Sequence, residues 1–153
     1  MGEIPISSII KDKFEKLNLL SMEEIKEQTD LKKWDILAVS SRIPDLHATM
    51  IHQYQRVLEV YTYATRIYEK MVIKSQIENH TGETTLNLNS LFKTKEDREH
   101  AIRYTNEQIE DIYVEMKVCK DELGKTEKTI EFLKLLQSNI RTIVEYEKFR
   151  GGK

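Results

Sequence analysis

The chain has 153 residues, one third of them charged, with a formal net charge of -2. That balance excludes a protein that holds a polyanion by bulk charge, and 5 glycines and 2 prolines are few for strand-rich or enzyme-like folds, whose turns and ligand loops need special backbone angles. One cysteine, Cys119, excludes an intramolecular disulfide framework, and no apolar run approaches the ~20 residues that span a bilayer.

Residues 1–42 predict one or two short helices. Ser21-Met-Glu-Glu24 is a capping box, and Leu31, Trp34 and Leu37 are apolar anchors beyond it. Ser40 and Ser41 form a break. Pro44 suits a first helical position, where its missing N–H is harmless, and Asp45 favours the same helix end. From Ile43 a 4-3 alternation follows: Ile43, His47, Met50, Tyr54, Val57, Tyr61, Ala64, Tyr68, Met71, Ser75, Glu78. Eight of these 11 positions are apolar or aromatic, which predicts one long helix with a packing stripe. Gly82 ends it as a left-handed cap, and 83–94 reads as a loop.

Thr94, followed by Glu96 and Asp97, starts the last helix, near 95–148. Its stripe is Ile102, Thr105, Ile109, Ile112, Met116, Cys119, Leu123, Thr126, Ile130, Leu133, Gln137, Ile140, Val144, Glu147, and the register passes Gly124 without a skip. Past Ile130 a second apolar stripe appears: Phe132, Leu135, Leu136, Ile143, Tyr146, Phe149. The fold class expected is all-α: a long antiparallel helical hairpin with a short helical N-terminal segment, self-assembling through the C-terminal helix. The organisation expected is 1–42 as N-terminal segment, 43–129 as hairpin, and 130–153 as oligomerisation segment. A hairpin uses one stripe per arm, so Ile130, Phe132, Leu133, Leu136, Ile140, Ile143, Val144 and Phe149 offer more apolar surface than a monomer can cover.

No catalytic or metal constellation emerges, and neither an enzyme nor a cofactor is expected. His47 and His52 miss the i, i+4 spacing of a zinc pair, and the Asp97-x-x-His100 spacing of a di-iron site lacks its second copy. Glu107, Glu110, Asp111 and Glu115 read as a solvated face, and Cys119 on the packing stripe as a small buried hydrophobe. The opening MGEIPISSII has no basic flank before an apolar stretch, and Ile6 stands where myristoylation needs Ser or Thr, so a cytosolic protein is expected.

Charge is unevenly distributed. Residues 96–131 carry 11 acidic and 6 basic side chains, and residues 132–153 carry 5 basic and 2 acidic. On the middle helix Arg56, Tyr63, Arg66, Lys70 and Lys74 are spaced 7, 3, 4 and 4 apart and share one face, interrupted by Glu59. Cations plus a stackable ring are what a single-stranded nucleic acid track requires; a salt-bridged wet face produces the same row.

Three segments resemble the UvsY recombination mediators of tailed phages. Ile43-Pro44-Asp45-Leu46-His47, with Tyr54 beyond it, is similar to the family's I-P-x-L-H entry into its long helix. Ile73-Lys74-Ser75-Gln76 through Thr81-Gly82 resembles its basic stretch before a Tyr-Tyr-x-Gly turn. The end, Ile140-Arg-Thr-Ile143-Val-Glu-Tyr-Glu-Lys148-Phe149-Arg-Gly151-Gly-Lys, resembles its I-x-x-I-x-x-x-x-x-F-x-x-G terminus. The likeness covers roughly 22–153, apart from 83–95. It departs at Gln76, where the family has arginine, and at Asn79 and His80, where it has tyrosines.

The resemblance implies a non-enzymatic hexamer or heptamer in the cytoplasm of a bacterial host. Such an assembly binds single-stranded DNA and helps a RecA-like phage recombinase displace the phage single-strand-binding protein. The alternative from another class is a coiled-coil scaffold or assembly chaperone without DNA binding, which shares the heptads but gives no reason for aligning the cations.

Overall fold

The computed structural model of the chain describes residues 4–81 and 94–151, and every regular element in them is a helix. These are α1 (Ile6–Glu15), α2 (Met22–Gln28), α3 (Ile36–Thr81), α4 (Lys95–Thr105) and α5 (Glu107–Gly151). The fold is all-α, as the periodicity predicts. The expected cap at Gly82, and the loop over 83–94 apart from Thr94, lie outside the described residues.

Local polar chemistry sets the helix starts. At α2 the Ser21 hydroxyl accepts from the Glu24 N–H at 3.2 Å, and the Glu24 carboxylate accepts from the Ser21 N–H at 3.0 Å, completing the capping box. Thr94 caps α4 by accepting from the Asp97 N–H at 3.1 Å.

Helix α3 begins eight residues before Pro44, which therefore lies inside it rather than at its first position. The Asp35 carboxylate accepts from the Ala38 N–H at 2.7 Å, and the Asp35 carbonyl takes the Val39 N–H at 3.1 Å. An internal proline costs about 3 kcal/mol, but each buried apolar side chain returns ~1.5–3 kcal/mol. The additional turns bury Val39 and draw in Ile36, both packed near Ile140. Pro44 and Ser40 are both exposed, so the Ser40 carbonyl that loses its helical donor lies on the wet side.

The expected single helix from 95 to 148 is broken at Asn106. Its backbone is extended (φ -129°, ψ 103°), and its side-chain oxygen accepts from the Ile109 N–H at 3.3 Å, so it caps α5. The Thr105 hydroxyl turns back onto the Ala101 and Ile102 carbonyls, both at 3.1 Å. Apolar spacing conceals the break, because 102, 105 and 109 stay in register across it. Beyond, α5 runs unbroken through Gly124, as the register predicts.

The chain forms two compact units, which cut across the expected 1–42, 43–129 and 130–153 divisions: residues 1–16 with 58–120, and residues 17–57 with 121–153. In the second unit the α3 and α5 segments are antiparallel. Val39 and Ile43 pack with Ile140, and Leu46 and Met50 with Leu133; Tyr54 donates to Glu127 at 3.1 Å. Ile25 of α2 is buried with Leu46, Met50 and Leu133, and Leu20 packs against them.

Gln53 joins the N-terminal segment to α3. Its side-chain oxygen accepts from the Leu20 N–H at 2.8 Å and its amide nitrogen donates to the Leu20 carbonyl at 3.2 Å. Gln53→Ala strands both Leu20 groups beside an apolar cluster. The expected loss is ~1–3 kcal/mol, read as a lower midpoint in urea with little change in the slope.

In the first unit α1 buries Ile10, and Ala64, Tyr68 and Val72 of α3 are buried, as are Ile102 of α4 and Ile109, Ile112 and Cys119 of α5. The rings of Tyr68 and Tyr113 lie 5.7 Å apart, and the Tyr68 hydroxyl meets the Glu99 carboxylate at 3.5 Å. Burial, aided by Glu99, pushes that hydroxyl up to about 12. Burial also pushes the Cys119 thiol up to about 11, so it stays protonated at neutral pH, as expected of a packing residue rather than a nucleophile.

The seam of α3 departs from the predicted stripe at 47, 54 and 61 and rejoins it at Ala64 and Tyr68. Leu46, Gln53 and Val60 are buried, whereas His47, Tyr54 and Tyr61 are only half-buried. Leu31, Trp34 and Leu37 are exposed rather than anchoring. Trp34 carries the Arg42 guanidinium 4.2 Å above its ring and donates to the Glu27 carbonyl at 3.0 Å, so that turn is held by polar contacts.

Candidate nucleic-acid and self-association surfaces

At 100° per residue, positions 56, 63, 66, 70 and 74 of α3 fall within an arc of about 80°, and the buried seam is centred well over 90° around the helix. Tyr63, Arg66, Lys70 and Lys74 lie in the first unit and are exposed; Arg56, just inside the second, is half-buried. None of the four cations makes an ion pair with a described residue, and Arg66 and Lys70 project to water with Tyr63 39% exposed beside them. Such a face presents uncommitted positive charge and one aromatic surface. Glu59 and Glu69 are its exposed acidic neighbours.

Sequence reasoning did not foresee α1 beside this face. The Lys13 ammonium sits 5.1 Å from the centroid of the Tyr63 ring. Burial raises the Glu115 carboxyl of α5 above its ordinary 4.5, while Lys11 opposes the rise and Glu15 and Asp111 add to it. Because the folded state raises that value, ionisation disfavours folding: Glu115 favours the folded state most below 4.5, and that contribution is lost as the pH rises through its elevated value.

The predicted self-association residues divide into two groups. Leu133 and Ile140 are fully buried, and Ile130, Phe132, Leu136 and Val144 pack against the same clusters, all within the second unit. Leu133 and Ile140 belong to the core and the other four pack on it half-buried, so the first stripe is covered, while the second leaves Leu135, Ile143, Tyr146 and Phe149 exposed. The reason is α2: with the start of α3 it gives α5 a second partner, and Lys26 caps Phe132 with its ammonium 5.9 Å from the ring. Of the eight residues, only Ile143 and Phe149 are exposed, and Leu135 and Tyr146 join them. Ile143 and Val144 line a shallow cleft of about 540 Å³ with Ile36, Glu147 and Lys148.

Among the described residues no cluster of three or more His, Cys, Asp or Glu is placed to hold a metal ion, and no helix is long and apolar enough to cross a membrane. Comparison of the chain with protein-family models, curated proteins and solved structures gives no match.

Proposed function

We propose that this chain is a non-catalytic recombination mediator of the UvsY type, acting in the cytoplasm of a phage-infected bacterium. It binds single-stranded DNA as a homo-oligomer of six or seven subunits and helps a RecA-like recombinase onto strands coated by single-strand-binding protein. The observation that carries this reading is the face of α3 on which Arg56, Arg66, Lys70 and Lys74 lack carboxylate partners among the described residues and flank an exposed tyrosine. A salt-bridged helix face would set such cations against carboxylates one turn away, as Lys16 is set against Asp12 at 2.9 Å. The likeness at Lys74 and over 140–153 supplies the biological setting.

The test is a titration of labelled oligonucleotides of several sequences at several salt concentrations. Four phosphate contacts predict log K falling with log salt at a slope near -3, from about -0.7 per contact. Lys70→Ala with Lys74→Ala should weaken binding to all sequences alike and make the slope shallower by about 1.4, with the oligomer unchanged. Binding equal to the parent's would leave the row a solvated face and move the DNA path to the C-terminal basic residues. A parent that binds no single strand at all would favour the scaffold reading, for which the exposed Leu135, Ile143, Tyr146 and Phe149 suffice.

A further inference from the structure

We infer that α1 completes the single-strand track: Lys13 and Tyr63 form a one-nucleotide subsite in which a base stacks on the open side of the Tyr63 ring and its phosphate pairs with the Lys13 ammonium. This inference rests on the single-strand reading of α3 and adds to it a second helix and a named position for the base.

The two lysines of α1, Lys11 and Lys13, and Lys16 at its C-cap have different surroundings. Lys11 acts on the Glu115 carboxyl of α5, and Lys16 is paired with Asp12 at 2.9 Å. Lys13 has no carboxylate partner among the described residues and no acidic residue three or four positions away on its own helix. Its contact is the Tyr63 ring, 5.1 Å from the ammonium, and Tyr63 as a residue is 39% exposed. A cation lying against one side of a tyrosine leaves the rest of the ring for a base, and an ammonium exchanges a water for a phosphate oxygen without losing the ring. Charge plus a stacking platform is the minimum unit of sequence-independent single-strand binding. Both residues lie in the first unit with Arg66, Lys70 and Lys74, so that unit alone presents four cations and the ring.

Folding alone could explain the contact if Lys13 merely tethered α1. That role is separable, because Ile10 already anchors the helix with its side chain fully buried. The experiment uses the full chain and a labelled oligothymidylate, titrated from 50 mM to 1 M salt, with thermal midpoints measured in parallel. Lys13→Met keeps the aliphatic stem and removes the charge. One contact contributing -0.7 to the slope amounts to about 8-fold in affinity at 50 mM salt relative to 1 M, so a loss of that size should fade as salt rises. Lys13→Arg should restore binding, Tyr63→Leu should lose affinity at all salt concentrations, and Lys11→Met and Lys16→Met should leave the slope alone.

A Lys13→Met protein with the parent's slope overturns the subsite, as does a Lys16→Met effect equal in size, which would signal bulk charge. Should Lys13→Met lower the midpoint, the Arg variant decides: a parental midpoint with lost binding also overturns it. These outcomes are distinct from failure of the underlying reading, in which the parent does not bind, or the Lys70, Lys74 double variant binds as the parent does.

Discussion

Ile143→Asp combined with Phe149→Asp should give a dispersed protein with its helix content intact, whereas Ile140→Asp, one turn away, should unfold the second unit. Ile140 is 3% exposed and packs on Val39 and Ile43, while Ile143 and Phe149 are 42% and 81% exposed. An aspartate at 140 loses the ~2–5 kcal/mol of a buried isoleucine and adds a charge that must be desolvated or stay protonated. Set against a typical total stability of about 5–15 kcal/mol, that removes much or all of the margin. At 143 and 149 the same substitutions touch water. They act on what the monomer leaves uncovered: with Leu135 and Tyr146, four large apolar side chains stand along α5, each gaining up to ~1.5–3 kcal/mol on full burial. Sedimentation at micromolar concentration with circular dichroism separates the two effects. A parent that sediments as a monomer would sink the assembly claim while leaving the Ile140 prediction intact.

The contrast between 140 and 143 also marks how far the sequence could be read. Periodicity finds the seam of α4 and α5 well, because Ile102, Ile109, Ile112, Cys119, Leu123, Leu133 and Ile140 are apolar and buried. It fails on α3 at 53 and 54. There Tyr54 looks like a core residue and Gln53 does not, yet Gln53 is the buried one because Leu20 offers its backbone N–H and C=O to a single amide. Only a segment 33 residues away explains that choice, and no local pattern carries it. Residues 130–136 mislead for the same reason: Phe132 and Leu136 read as an interface until α2 and the start of α3 pack around that stretch.

Some of what was missed had a signal. Asp35 followed by apolar residues at 36, 37 and 39 has the pattern of an N-cap before a helix, masked by Pro44, which also suits a first helical position. Asn106 followed by Glu107 and Glu110 is another, hidden by an apolar register that crosses it. The cation row on α3 was legible from spacing alone. Its unpaired state was not, since Glu59 and Glu69 lie close enough in sequence to have neutralised Arg56, Arg66 or Lys70. The Lys13–Tyr63 contact spans 50 positions of sequence and could come only from the fold.

Affinity for single-stranded DNA should collapse in the Ile143→Asp, Phe149→Asp protein although every cation of α3 remains. Under the proposed function one subunit would offer about four phosphate contacts, a weak and strongly salt-dependent site with a slope near -3. In a closed assembly, a strand held by one subunit meets the next at an effective concentration set by the short path between them. Linked sites then exceed the single site by about 10²–10⁴ with no new contact. The dispersed variant should therefore lose roughly that factor. Its remaining binding should keep the single-subunit slope, whereas the Lys70→Ala, Lys74→Ala protein should stay assembled with a shallower slope per subunit. Fluorescence anisotropy on a strand long enough for several subunits, repeated on one long enough for a single subunit, distinguishes the two. The short strand should bind parent and dispersed variant alike, and only the long strand should tell them apart. Equal affinity of the two proteins for the long strand would mean that the cation row acts one subunit at a time, and that the exposed C-terminal residues serve something other than DNA binding.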